Sequence, residues 1–229
     1  MALPASMEKV IPASSEGAIT SYDFYDLATG RASKTLYCGD VNKRTGEEYS
    51  GAASQKPPEY KMSPVQWYSD QGYIFSGAGT WIKIPFDMEL NRALIMEGTG
   101  IIQVPTIQMN YITNPLNMPS YVDAALYKIS STGTETFIAS GASRFDKSIA
   151  INAAVYHMHA ISLDIPITHL MASDTLRIKI MASGATVRYI IGCDPYGRTS
   201  NTEIWDGGGT PSWGTTTALT FNMPLRVDV

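Results

Sequence analysis

Along much of this chain apolar and polar residues alternate one by one. In Thr175–Met181, Leu176, Ile178 and Ile180 fall on one side, and Arg177 and Lys179 on the other. After Ser183 and Gly184 the alternation resumes, with Ala185, Val187, Tyr189 and Ile191 on one side and Thr186 and Arg188 opposite. The C-terminal stretch is cleaner: Leu219, Phe221, Met223, Leu225, Val227 and Val229 share a face, and Thr220, Asn222, Arg226 and Asp228 share the other. Successive side chains of a strand point to opposite faces, so a period of two predicts half-buried antiparallel strands. The pattern therefore predicts a hairpin turning at Ser183–Gly184, with the C-terminal strand laid beside it.

The same period recurs upstream. Lys34–Val41 forms a short strand with Leu36 and Cys38 on one side, and Asn42–Pro64 follows as a polar loop. The piece Asp40–Asn42 with Gly46 and Glu47 has the wrong spacing for a calcium loop and reads as a plain one. In Thr80–Leu90, Ile82, Ile84, Phe86, Met88 and Leu90 turn inward, while Pro85 on the outward set suits an edge strand or a bulge. Ala93–Met96, Ile101–Val104 and Ile107–Tyr111 read as three short strands separated by glycines, with breaks at Asn114-Pro115 and Met118-Pro119. Tyr121–Ile129 and Glu135–Ala139 flank Ser131-Thr132-Gly133-Thr134, a hairpin signal. Only Thr168–Ser173 has the look of a helical turn. Eight to ten strands with turn residues between them, and no sustained 3.6-residue period, predict an all-β fold: an antiparallel β-sandwich, jelly roll preferred, over residues 31–229.

Residues 1–30 show little periodicity and carry the aromatic–acidic patch Tyr22-Asp23-Phe24-Tyr25-Asp26. Two readings stand open. The segment is an edge piece with its aromatics on the core, or an extended N-terminal arm whose Tyr22, Phe24 and Tyr25 anchor a neighbouring subunit.

Composition narrows the function classes. The chain has 229 residues, 44% of them hydrophobic, enough to bury a core without metal or disulfide support. Charged residues make up only 17%, against about 25% in ordinary soluble domains, as in proteins that spend their lives packed against neighbours and in many secreted β proteins. A net charge of −4 argues against nucleic acid, which requires clustered Lys and Arg. The N-terminus lacks the apolar core of an export signal, which predicts a chain made in the cytoplasm. The longest apolar run, Ile149–Leu163, is broken by Asn152, His157, His159 and Ser162, so no membrane span is expected.

Candidate chemistry is thin. The two cysteines, Cys38 and Cys193, have no metal spacing and read as a pair of reduced packed thiols, with a long-range disulfide as the alternative. His157 and His159 point the same way from one strand, with Asp164 and His169 beyond them, and two such imidazoles can chelate a divalent cation. This resembles the HxH…E pattern of the cupins, metal-binding jelly rolls. The chain has Ile151 where that pattern has Gly and Asp164 where it has Glu, and a second cupin motif is absent. The opposing reading places both imidazoles in a core or at an interface. No nucleophile elbow, phosphate loop or paired carboxylates are found, and no catalytic residue, cofactor or metal is assigned. Trp205 and Trp213 lie in the Gly-rich loop Cys193–Thr216, where they stack on sugar, anchor an interface, or cap the end of the sandwich.

The strand TLRIKIMAS, the strand ending in GCDPYGR, the terminal LTFNMPLRVDV and the hairpin ALYKISSTGTETFIA together resemble the C-terminal half of the jelly-roll accessory proteins of tailed-phage capsids. That resemblance implies a non-enzymatic virion structural protein, a decoration or cement protein. It would assemble with itself, as a homo-oligomer and in trimers, bind the major capsid protein on the capsid surface and stabilise capsomer contacts, with no nucleic acid or membrane partner. The alternatives are a carbohydrate- or receptor-binding module of a tail or fibre component, with Trp205 and Trp213 as contacts, and a cupin-like metalloprotein.

Overall fold

The computed structural model describes residues 31–41, 59–67, 73–76, 82–109, 116–149, 154–184, 188–197 and 217–226. These form eleven strands joined in one sheet: β1 (Arg31–Asp40), β2 (Tyr60–Ser63), β3 (Tyr73–Ser76), β4 (Ile82–Glu89), β5 (Leu94–Met109), β6 (Leu116–Ile129), β7 (Glu135–Ile149), β8 (Ala154–Leu170), β9 (Thr175–Gly184), β10 (Arg188–Gly192) and β11 (Leu219–Arg226). The protein is all-β, as the period of two predicts, with a curled, jelly-roll-like sandwich architecture. Residues 1–30, including Tyr22, Phe24 and Tyr25, lie outside the described residues, and so do Trp205 and Trp213.

The ladder runs β3–β10–β5–β11–β1–β2–β4–β9–β6–β7, and β8 pairs with the remaining edge of β5. Pairing is antiparallel except where β2 meets β4 in parallel at Lys61 and Asp87. That single bridge joins two halves, one built on β5 and the other on β4, β9, β6 and β7. The sheet curls until β7 lies against β8. Gly141 makes the approach possible, because a Cβ there would stand 2.4 Å from the Ser162 carbonyl oxygen and 2.8 Å from Ile161 Cγ2. Inside the curl sits one core, to which Leu36, Phe86, Ile102, Leu126, Ile161, Ile178 and Phe221 contribute fully buried side chains. Their outward neighbours Thr35, Ile101, Ser162 and Arg177 stay wholly or partly exposed.

β4, β9 and β11 carry the faces expected of them, and Pro85 sits on the exposed side of β4. The hairpin of β6 and β7 also forms, closing through Ser130 N–H to Thr134 O at 2.9 Å, with Gly133 at φ 84°. Several expectations are corrected. β9 runs unbroken through Ser183 and Gly184, and it pairs with β4 and β6 while β10 pairs with β3 and β5, so the two make no hairpin. β11 lies between β1 and β5, not beside β9. The three short strands expected between residues 93 and 111 are one continuous β5. Gly98, at φ 110°, absorbs a register shift against β8, and bare Gly100 admits the Phe221 ring, which would stand 2.8 Å from any Cβ. Pro119 does not end a strand; it lies within β6, paired with Asp146 of β7. Thr168–Ser173 is strand followed by a tight turn rather than helix: Asp174 accepts the Met171 N–H at 2.7 Å and pairs with Lys128 at 3.0 Å.

The closure at Gly141 is testable. A methyl there meets backbone that cannot yield, so Gly141→Ala is expected to cost about 1–3 kcal/mol. Exposed Ser140→Ala, one residue away, is expected to be nearly neutral. Denaturant midpoints at constant slope measure both, and equal midpoints would refute this account of the closure.

Candidate functional site

The strongest concentration of ionisable and aromatic chemistry among the described residues lies on the seam between β7 and β8. The period of two on β8 turns His157 and His159 toward the interior, His157 half-buried and His159 fully buried. Their ring centroids stand 6.1 Å apart. Phe145 of β7 covers both: its ring stacks on His157 at 4.9 Å and 13°, and meets His159 edge-on at 4.9 Å and 68°. Ser120 Oγ of β6 lies 2.9 Å from His159 Nε2, and Ser143 Oγ of β7 lies 3.1 Å from Nδ1. One imidazole thus ties three strands, accepting at one nitrogen and donating at the other, as a neutral ring does. Removal from water, with the second imidazole nearby adding to it, lowers the His159 pKa from 6.5 to about 4.

A serine hydroxyl within hydrogen-bond reach of an imidazole is also how a nucleophile and its base are arranged. Here Ser120 and His159 are both fully buried, and the second ring nitrogen is held by a hydroxyl, not by a carboxylate that would stabilise an imidazolium. This pair fastens strands together. The metal reading also lacks ligands. Asp164 is exposed on the other face of β8, and His169 is exposed ten residues along the strand, roughly 30 Å from His159. Among the described residues no group of three or more His, Cys, Asp or Glu is placed to hold a metal ion.

Elsewhere the charges pair with one another. Arg177 donates two hydrogen bonds of 2.6 Å to Asp87 across β9 and β4, and one of 3.2 Å to Glu135. Lys179 also bonds Glu135, which holds that carboxyl below its ordinary pKa, and it stands 4.2 Å over the Tyr127 ring. Tyr127 in turn meets exposed Phe137 edge-on at 5.7 Å. Arg144 spans Asp146 at 3.0 Å and the Tyr121 ring at 4.8 Å. Both cysteines are buried thiols outside any disulfide, and burial, with Cys193 nearby, pushes the Cys38 thiol well above its ordinary value. Such a thiol is protonated and poorly nucleophilic.

A shallow cleft of about 210 Å³ opens where β1 and β2 end, lined by Val41, Met62, Val65, Trp67 and neighbours. Trp67 Nε1 donates to the Asp40 carbonyl at 3.2 Å, which fixes the ring as a wall. The volume lies below the roughly 300–1,000 Å³ of ordinary small-molecule sites. Sequence reasoning found the two histidines because their parity is visible along one strand. It missed Ser120, Ser143, Phe145 and Trp67, which reach their sites only through pairings or contacts distant in sequence.

No family model and no curated protein matches the chain. Among solved structures it is similar to a CocE/NonD family hydrolase from Staphylococcus aureus, with 10% identity, TM-score 0.50, and coverage of 92% of this chain and 39% of that one. It is likewise similar to an alpha-amino acid ester hydrolase, with 9% identity, TM-score 0.51, and coverage of 85% and 36%. The chain therefore spans less than two-fifths of the length of either hydrolase. At such identity the likeness speaks to the fold.

The His159 seam predicts a pH dependence. An unfolded imidazole takes its proton near 6.5 and the folded one only near 4, so between these values the unfolded state binds more protons. Stability is full above the upper value, declines as pH falls through the window, and levels off below the lower one. The total loss is about 3 kcal/mol for a difference of 2.5 pH units. Urea melts across this range check it, and His159→Gln is expected to flatten the profile. An unchanged slope in that variant would contradict the assignment.

Proposed function

We propose that this chain is a non-enzymatic structural protein, a decoration or cement protein that binds the outer surface of an assembled protein shell and bridges its subunits. The observation that carries the reading is how the chemistry is spent. The buried histidine is neutral and holds three strands, the cysteines are packed thiols, and the strong cations of β9 are committed to Asp87 and Glu135. What is left for a partner is surface: broad faces of a rigid curled sheet in a chain with 17% charged residues.

The mechanism is mass action. A copy that binds across two shell subunits favours the assembled state by RT ln(1 + [L]/Kd), about 2.7 kcal/mol per site at a concentration a hundredfold above Kd. The major capsid protein of a tailed phage is the proposed partner.

A second reading rests on Trp67. A fixed indole wall beside a shallow, mostly apolar cleft suits the face of one sugar ring, which would make the chain a glycan-binding module of a tail component.

Empty shells of the major capsid protein from the same genome, mixed with the chain and heated, discriminate the two. The decoration reading predicts co-sedimentation with shells and a melting temperature that climbs with the logarithm of added protein. Shells that neither bind the chain nor gain stability would overturn it. Retention on immobilised glycans, lost in Trp67→Ala, would establish the second reading instead.

A further inference from the structure

Among the described residues, three strands pair along one edge only: β3, β7 and β8. An open edge offers a row of backbone N–H and C=O groups to any extended chain, and folds blunt it by shortness, proline or charge. β3 has only four residues. β8 carries Pro166 where its register against β5 shifts. β7 has neither device. It runs for 15 residues, and its stretch Thr136–Ser143 holds no proline and no charge, although Thr136, Phe137, Ser140 and Ala142 are exposed. β8 does not take this edge. It meets β7 in the side-chain direction, at Gly141, Ser143 and Phe145, and no ladder joins the two among the described residues. Charges of opposite sign stand at the two ends of the neutral stretch, Glu135 and Arg144. Both lie on the outer face, opposite Ile129 and Tyr121 of β6, whose alternate residues Val122, Ala124 and Leu126 are buried. A register shift against β6 leaves Ile138 as an extra residue between them.

We propose that two copies of the chain pair β7 to β7, antiparallel about a two-fold axis at Ser140, so that their sheets join into one. A strand edge laid against its own image in this way matches donors to acceptors along its length. In a two-fold contact, where one residue meets a second, the second also meets the first, so each favourable pair occurs twice. Centred on Ser140, with Ile138 kept as the extra residue, the pairing sets Phe137 against Ala142 of the second copy and Glu135 against its Arg144. Directly opposite residues share a face, and all of these lie on the outer one. Unlike charges thus meet at both ends of the neutral stretch. Arg144 is available for this, because its bond to Asp146 joins two exposed side chains and holds little energy. Other registers lose the charge match or set outward residues against inward ones. Such a contact stands whether or not the chain binds a shell.

Light scattering across a concentration series, on the full chain, tests the proposal, with hydrogen exchange on the same samples. The expected mass is twice the 24.9 kDa of one chain. Exchange of the Thr136–Ser143 amides is expected to slow as the dimer fills. Ser140→Lys sets two ammonium groups against each other at the axis and is expected to weaken association roughly tenfold or more, with the circular dichroism unchanged. Arg144→Glu, which sets acid against acid at both ends, serves as a second such variant should the first fail to fold. Mixing Ser140→Lys with Ser140→Glu is expected to restore the dimer. Thr35→Lys, exposed on the other half of the sheet, is expected to leave it intact. A monomer at every concentration, a trimer, a dimer indifferent to Ser140→Lys, or a dimer whose Thr136–Ser143 amides exchange as fast as the monomer's would overturn the proposal. The shell assay is independent: a monomer that binds shells removes this contact alone, and a dimer that ignores shells removes the decoration role alone.

Discussion

Everything in this fold leans on the backbone pairing of β5. One edge of that strand is taken by β8 along nearly its whole length, and the other is shared by β11 and β10, end to end. A strand flanked on both edges over much of its length and buried on its inner face leaves few backbone donors and acceptors to water or to aggregation. It also sets where every other element of its half lies, because β1 hangs on β11 and β3 on β10. The long pairing is made possible by glycine. Gly98 takes up the register shift, and Gly100 leaves room for Phe221 and Ile165 to close over the strand.

The second constraint is the closing of the curl. β7 and β8 meet through side chains: the Phe145 ring over two imidazoles, and His159 held between serines of β6 and β7. A neutral imidazole suits this place, because it donates and accepts at opposite ends of a rigid ring while adding no buried charge. The ion pairs of Arg177 and Lys179 lie on the outer surface instead, half-exposed, where they contribute little to stability and chiefly order the side chains they join.

Strands with one wet face were legible in the sequence. β4, β9 and β11 each alternate because solvent selects one set of residues and the core the other, and the β6–β7 hairpin was marked by its Gly-containing loop. What was hidden falls into two kinds. Continuity of β5 is masked by its own glycines, which read as punctuation in a sequence and act as close-packing positions in the fold. Partnership is masked by distance: nothing in the period of β9, β10 or β11 says that Leu219 will face Cys38 or that Phe221 will face Ile102. β10 is the sharpest case: the alternation of its sequence sets Tyr189 and Ile191 on one side, yet adjacent Ile190 and Ile191 are both buried, as in a strand covered on two faces. The same distance hid Ser120, Ser143 and Phe145 from the histidines they hold.

A chain whose described histidines, cysteines and β9 cations are engaged within its own framework is proposed to work by contact. The most direct measurement is a cryo-electron microscopy reconstruction of shells incubated with the protein. The account predicts added density on the outer surface at the junctions between capsomers. Bare shells, or a bound copy held through a single sugar at the Trp67 cleft, would contradict it.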